Sequence, residues 1–347
     1  MKKTLRDPGS LALVVDMAGC PNRCLHCWLG HMPNRTMEPG ADDWIVEQFR
    51  PYFQKITFYS WLREPDFCPD YRARWEKDKR LSVGARPERF ELVSFWRLVR
   101  DADYVRFLKE VGVGCVQLTF FGMEETTDRY VGRRGAFREL LQATELLLQN
   151  GIRPRWQGFL NEENRFELVR LLRLAEELAL TRRCEEAGGL FRFFVHEGSC
   201  DGENRRLYPI RILKEHIPPE LIPYYLDYET ICTEQELCER WRDEAAPVEL
   251  HTGEELVLNI SNTYDVFYNF THMTPEWRIG NLKTDPIEEL VRSAVEEDTP
   301  ALRTARAVSL GELARRYGDA ASHRVFAPDD YRRWLLNRYL ETEWTGK

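Results

Sequence analysis

The sequence predicts an α/β fold: a partial (β/α)6 TIM-like barrel with a C-terminal α+β cap. Three observations predict it. Short unbroken apolar runs alternate with helix-period runs through the first two thirds of the chain, glycines stop several of the helical runs, and the alternation breaks near residue 206, where prolines become frequent. Unbroken apolar strands separated by helices imply a parallel sheet covered on both faces.

In chain order, residues 11–17 (LALVVDM) read as a buried strand and 43–54 as an amphipathic helix. Residues 56–59 (ITFY) and 90–95 (FELVSF) read as the second and third strands. A helix at 103–111 ends at Gly112, and 115–120 (CVQLTF) is a fourth strand. The helix at 136–150 stops at Gly151. A fifth strand at 152–160, a helix at 165–178 and a sixth strand at 190–195 (LFRFFV) follow. In such a barrel the reactive groups sit at the carboxyl ends of the strands. Residues 1–205 are therefore expected to form the core domain and 206–347 the cap. In the cap, Pro209, Pro218, Pro219 and Pro223 punctuate short helices, one of which carries Cys232 and Cys238. A hairpin pairs 255–260 with 265–270, with Asn262 and Thr263 near its turn.

Composition narrows the function. Of the 347 residues 43% are hydrophobic and 31% charged, and the net charge is −8. That balance argues against a nucleic-acid or membrane-surface partner for the chain as a whole. No apolar run reaches the roughly 18 residues of a membrane-spanning helix. The start, MKKTLRDPGSLALVVD, has no small-residue cleavage site and runs into an aspartate, so a cytoplasmic protein is expected. The nine cysteines are an odd number, which fits reduced thiols better than a disulfide framework.

The main signal is Cys20-Pro-Asn-Arg-Cys24-Leu-His-Cys27, beginning just after the first strand. Three thiolates on one short loop can hold one face of a four-iron cluster and leave the fourth iron open to a small chelating molecule. The competing reading is zinc, completed by His26 or His31, but a second C-x2-C pair is missing. The C-x3-C-x2-C spacing after a first strand resembles the radical S-adenosylmethionine (SAM) superfamily, and the likeness extends over about residues 10–200.

That resemblance implies a [4Fe-4S] cluster on Cys20, Cys24 and Cys27, SAM chelated to the open iron, and release of a 5′-deoxyadenosyl radical. It also implies an external electron donor of flavodoxin or ferredoxin type. Ser60-Trp-Leu-Arg-Glu64-Pro65 looks like the family's Gly-Gly-Glu-Pro loop, which makes Glu64 the partner of the SAM amino group; Leu62 and Arg63 replace the two glycines. Ser94 stands where relatives carry a Thr-Asn-Gly segment and is a candidate SAM contact. Thr119-Phe-Phe-Gly122 and 128–137, with Arg133 and Arg134, resemble the stretches of peptide-modifying members that hold the SAM carboxylate. His26 occupies the aromatic position beside the adenine. Gln157 and Asn161 are placed to reach the ribose or the substrate.

Trp277–Leu282 and the helix after it resemble a SPASM or twitch extension, although no cysteine follows Cys238. Cys184, Cys200, Cys232 and Cys238 are read as packing residues, with a second cluster as the other option. Cys68 and Cys115 are also read as packing residues. Cys200, with Glu197 beside it, lies where a hydrogen donor and an acid or base could serve catalysis.

Three functions are open at this level. One is radical SAM chemistry on a peptide. Another is the same chemistry on a small metabolite such as a sugar, nucleoside or antibiotic precursor. The third is a non-enzymatic metal-binding or electron-carrier module.

Overall fold

A computed structural model of the chain describes residues 9–89, 91–250, 255–268 and 273–344. The first parallel pair is β1 (Ser10–Val15) and β2 (Lys55–Tyr59), in register from Ser10–Lys55 to Val14–Tyr59. The second group is β3 (Cys115–Phe120), β4 (Arg153–Phe159) and β5 (Arg192–His196), all parallel. Leu11, Leu13 and Val15 are fully buried, and Ala12 and Val14 nearly so, as expected of a strand covered on both faces. The covering helices present apolar stripes. Helix Ala136–Gln149 buries Phe137, Leu140, Ala143, Thr144 and Leu147 at helical spacing, and Gly151 at φ +69° ends it.

Two expectations need correction in this half. Helix 43–54 is observed as Ala41–Phe49, because Pro51 stands just beyond its last turn. The expected third strand, 90–95, does not form. Residue 90 lies outside the described residues, and Ser94 caps a short helix, Phe95–Leu98, by accepting from Arg97 N–H at 3.2 Å. The segment still sits beside the barrel, since Gln117 N donates to Glu91 O at 2.9 Å. A hydroxyl that can cap a helix outweighs the β-propensity of the apolar residues before it.

Beyond residue 206 the chain adds β6 (Cys232–Thr233), β7 (Leu256–Ile260), β8 (Asp265–Tyr268), β9 (Arg278–Asn281) and β10 (Val325–Phe326). β7 and β8 are the expected hairpin; its last two expected residues, 269–270, lie outside the described residues. β7 also lies parallel to β1, pairing Leu11 with Leu256 and Val15 with Ile260. The sheet therefore runs β2-β1-β7-β8-β9. One hydrophobic core joins Leu11, Leu13 and Val15 to Leu258, Ile260 and Leu335. Cys232 and Cys238 do not share a helix. Cys232 is on β6, and Thr233 starts helix Glu234–Trp241 with a capping box closed by Glu236.

Candidate active site

The cysteine loop leaves β1 at its carboxyl end and is fastened at several points. Arg23 N donates to Val131 O at 3.0 Å and Leu25 N to Tyr130 O at 2.8 Å, so the loop pairs with the end of helix Glu124–Val131. Gly132 follows at φ +71°, and a Cβ there would lie 2.5 Å from Arg23 O. Asn34 brackets Cys20, accepting from its N–H at 3.0 Å and donating to its carbonyl at 2.7 Å. Cys27 O accepts from Gly30 N at 3.2 Å and from Glu203 N at 2.8 Å. All three cysteines are half-buried residues and line one cavity of about 1020 Å³.

Glu64 lines the same cavity. Ser94 Oγ donates to its Oε1 at 2.7 Å, so Ser94, itself fully buried and absent from the cavity wall, acts through Glu64. Burial pushes the Glu64 carboxyl up to about 7, against the lowering pull of Ser94 and of the Arg133 charge. The turn after Glu64 is held from below. Asp66, at φ +57°, accepts from Trp75 Nε1 at 2.7 Å and from the Tyr104 hydroxyl at 2.6 Å, and pairs with Arg89 at 3.2 Å. Backbone strain at such a site costs of order 1–3 kcal/mol and persists where the surroundings over-determine it. Arg133 donates from Nε to Asn22 Oδ1 at 3.0 Å and pairs with Glu139 at 2.6 Å, while its buried Nη2 has no partner.

Residues 14–175 match the family model of the radical SAM superfamily. This stretch is a radical SAM domain. The family that this stretch matches uses a [4Fe-4S] cluster and SAM. Over 84 residues it is 30% identical to Fe-coproporphyrin III synthase of Methanosarcina barkeri (strain Fusaro / DSM 804), a match spanning 24% of this chain and 21% of that protein. Its shape is similar to that of anSMEcpe solved with bound AdoMet, at 13% identity over 95% of this chain and 97% of that one, TM-score 0.48. It is also similar to Streptococcus suis SuiB bound to the precursor peptide SuiA, at 13% identity over 87% and 67%, TM-score 0.44.

The cavity of the radical SAM domain fits the family's cofactors. Among the described residues no three His, Cys, Asp or Glu side chains converge on one point, as a zinc ion would require. A cubane offers each thiolate a separate iron, so ligands on one wall suffice. Burial pushes all three thiols up, Cys20 further through the Glu64 charge and Cys24 through Cys27, so they keep their protons until a metal compensates. Glu64 is on the cavity wall; Arg133 is off it, beside Phe95 of the lining, with an Nη2 that has no hydrogen-bond partner, and the two opposite charges suit the two charged ends of an amino acid.

Other expected residues divide. Thr119 and Gln157 line the cavity, with Thr119 Oγ1 donating to Gln157 Oε1 at 3.3 Å; Gln157 also contacts Gln117 and His196. His26 lines it too, but its ring already packs on Phe121 at 4.3 Å and Phe159 at 4.6 Å. Burial pulls its imidazole down to about 3, so it is neutral. Asn161 is buried in a turn beside Tyr130, to whose hydroxyl it donates at 3.0 Å, and is not on the wall. Arg134 is exposed and off the wall.

Cys200 and Glu197 are not brought to this cavity. Arg211 donates to Cys200 Sγ at 3.2 Å and pairs with Glu197 at 3.3 Å, and Tyr225 donates to Glu197 at 2.5 Å. Arg211 also donates to Val325 O at 2.6 Å, so the group joins β5 to β10. Cys184 lies near Pro154 O, Cys232 accepts from Arg240, and Cys238 meets the Tyr331 hydroxyl, each in a separate setting. Asp16, Arg63, Asn34 and Gly202 all shape the cysteine loop and were not expected to. Only Gly202 carried a usable signal, as a glycine shortly after a strand end.

Proposed function

We propose that Cys20, Cys24 and Cys27 carry a [4Fe-4S] cluster, and that Glu64 and Arg133 hold the amino and carboxylate ends of SAM beside it. When bound, the two cofactors supply a 5′-deoxyadenosyl radical that takes hydrogen from a substrate. The observation that carries this reading is one cavity lined by the three cysteines and Glu64, with Arg133 close enough to act on both Glu64 and Cys24. Ser94 orients Glu64, Asn22 orients Arg133, and the apolar wall of Val14, Leu29, Leu62 and Trp61 keeps water away from a reactive substrate.

The substrate we propose is a peptide. Thr119, Phe121 and Val131, from stretches that resemble those of peptide-modifying members, line the cavity, and Trp277–Leu282 with the helix after it resembles a SPASM scaffold. The match to a coproporphyrin enzyme favours a small metabolite as the second reading. Electrons would come from an external flavodoxin or ferredoxin.

The test is direct. Anaerobic reconstitution is expected to give about four irons per chain, and dithionite with SAM to release 5′-deoxyadenosine. Replacing the three cysteines by alanine removes both; turnover retained in that variant would falsify the ligand assignment. Peptide and tetrapyrrole mixtures, screened by mass spectrometry for hydrogen loss coupled to SAM cleavage, separate the two substrate readings.

A further inference from the structure

Where relatives resembling this chain have two glycines before the Glu-Pro pair, Leu62 and Arg63 stand here. Both side chains are inside the protein. Leu62 is 4% exposed and packs with Val14 and Leu29, with Cys27, Trp28 and Met32 against the same cluster. Arg63 is 7% exposed and faces Asp16, which is 1% exposed. The pair is a fork: Nη2 reaches Oδ2 at 2.7 Å and Nε reaches Oδ1 at 3.2 Å. Arg63 also donates from Nη1 to Met32 O at 2.8 Å and from Nη2 to Pro33 O at 3.3 Å.

These contacts join the two limbs of the cysteine loop. Asp16 is the first residue after β1 and accepts from Gly19 N at 3.2 Å, so it fixes the outgoing limb one residue before Cys20. Met32 and Pro33 belong to the returning limb, next to Asn34, which brackets Cys20. The crossing is close: a Cβ on Gly19 would lie 3.0 Å from Arg63 Nη2 and 2.4 Å from Asn34 Oδ1. Asn262, at the β7–β8 turn, completes the group by donating to Asp16 Oδ2 at 3.2 Å and to Pro33 O at 2.9 Å.

The neighbouring residue in the chain is Glu64. Arg63 grips both limbs of the cysteine loop and, like Glu64, lines the cavity, so one short segment fixes the position of both groups. We propose that Arg63 is a positioning residue. Through Asp16 and the Met32 and Pro33 carbonyls it holds the cysteine loop in register with the Glu64 carboxylate, a part that close backbone packing would take if glycines stood there. The proposal rests on the assignment of Cys20, Cys24 and Cys27 to a cluster and Glu64 to the SAM amine. A buried guanidinium fork fixes both distance and angle, which a lysine ammonium cannot do.

The test uses the double variant D16N/R63M in the full chain, because R63M alone leaves a buried carboxylate without its cation. Four quantities are compared with wild type: melting temperature without iron, iron bound after reconstitution, the dissociation constant for SAM, and the change SAM causes in the EPR spectrum of the reduced cluster. The expected result is a folded, iron-loaded variant that binds SAM at least about tenfold more weakly, with a diminished spectral change. A merely structural role would move the melting temperature alone. A double variant with wild-type iron content, SAM affinity within twofold and an unaltered spectral change overturns the proposal. If the double variant does not fold, R63K carries the test. It keeps the charge and loses the fork, and it is expected to fold and load iron yet bind SAM more weakly; unchanged SAM binding in R63K overturns the proposal. Failure of the underlying reading is seen separately, as wild-type protein that takes up no iron–sulfur cluster.

Discussion

Ser94 Oγ donates to Glu64 Oε1 across 2.7 Å while it accepts from Arg97 N–H at 3.2 Å. One hydroxyl thus starts a helix and aims a carboxylate. Ser94→Ala removes both functions. Loss of the cap costs about 1 kcal/mol of stability, and loss of a hydrogen bond to a charged group weakens SAM binding about tenfold. Calorimetry reads the first and equilibrium dialysis the second. Ser94→Thr keeps a hydroxyl and is expected to restore most of both.

Glu64 makes the cluster-free protein sensitive to pH. Burial raises its carboxyl from the ordinary 4.5 to about 7. Between those values the folded chain holds a proton that the unfolded chain has released. Stability from this group is therefore greatest at acid pH, falls as pH rises through the window, and is lost above it. Glu64→Gln removes the dependence, so the variant gains on wild type in urea denaturation as pH is raised from about 5 to about 8. SAM binding runs the other way. On the proposed pairing of the carboxylate with an ammonium, wild-type affinity is expected to rise across pH 6 to 8 and the variant's low affinity to stay flat.

Gly202 sets the position of Cys27. A Cβ there would lie 2.5 Å from the carbonyls of Cys27 and Trp28 and 2.6 Å from Gly30 N, at φ +55°. Gly202→Val is expected to displace the third cysteine and cut iron bound after reconstitution to below half. Gly30→Ala is the control, because nothing lies within 4 Å of its Cβ position. It carries only the cost of positive φ, about 1 kcal/mol, and keeps its iron.

The Cys200 group predicts a split between stability and chemistry. Cys200→Ala leaves Arg211 bound to Glu197 and Val325 O, so SAM cleavage and product formation are expected at wild-type rates. Arg211→Met strands the buried Glu197 carboxylate and costs about 3–5 kcal/mol, seen as a lowered urea midpoint. Loss of turnover in Cys200→Ala, with its melting temperature intact, would restore the hydrogen-donor role expected from its place after the last barrel strand.

Much of the fold is legible in the sequence because burial on both faces forces an unbroken apolar pattern, as in LALVV and CVQLTF. The segment before Ser94 misleads because its apolar residues look the same whether they pair as a strand or pack beside one. The shared cavity of the three thiols and Glu64 is legible because the chemistry proposed for them would constrain residue type and spacing. Arg63 and Asp16 are not, since a buried ion pair between residues 47 apart leaves no local pattern. Cys200 lies off the cavity of the three thiols for a related reason. Position after a strand predicts the correct end of the barrel but not which way the chain then turns, and here it turns toward Arg211.

The pairing of β7 with β1 orders events during synthesis. Asn262 must reach Asp16, 246 residues earlier, before the base of the cysteine loop has all its contacts. Contacts so distant in sequence close late and slowly. While the ribosome is still making the chain, Cys20, Cys24 and Cys27 have emerged into solvent on an unfinished scaffold. A metal that needs the finished loop is therefore expected to load only after the hairpin has left the exit tunnel.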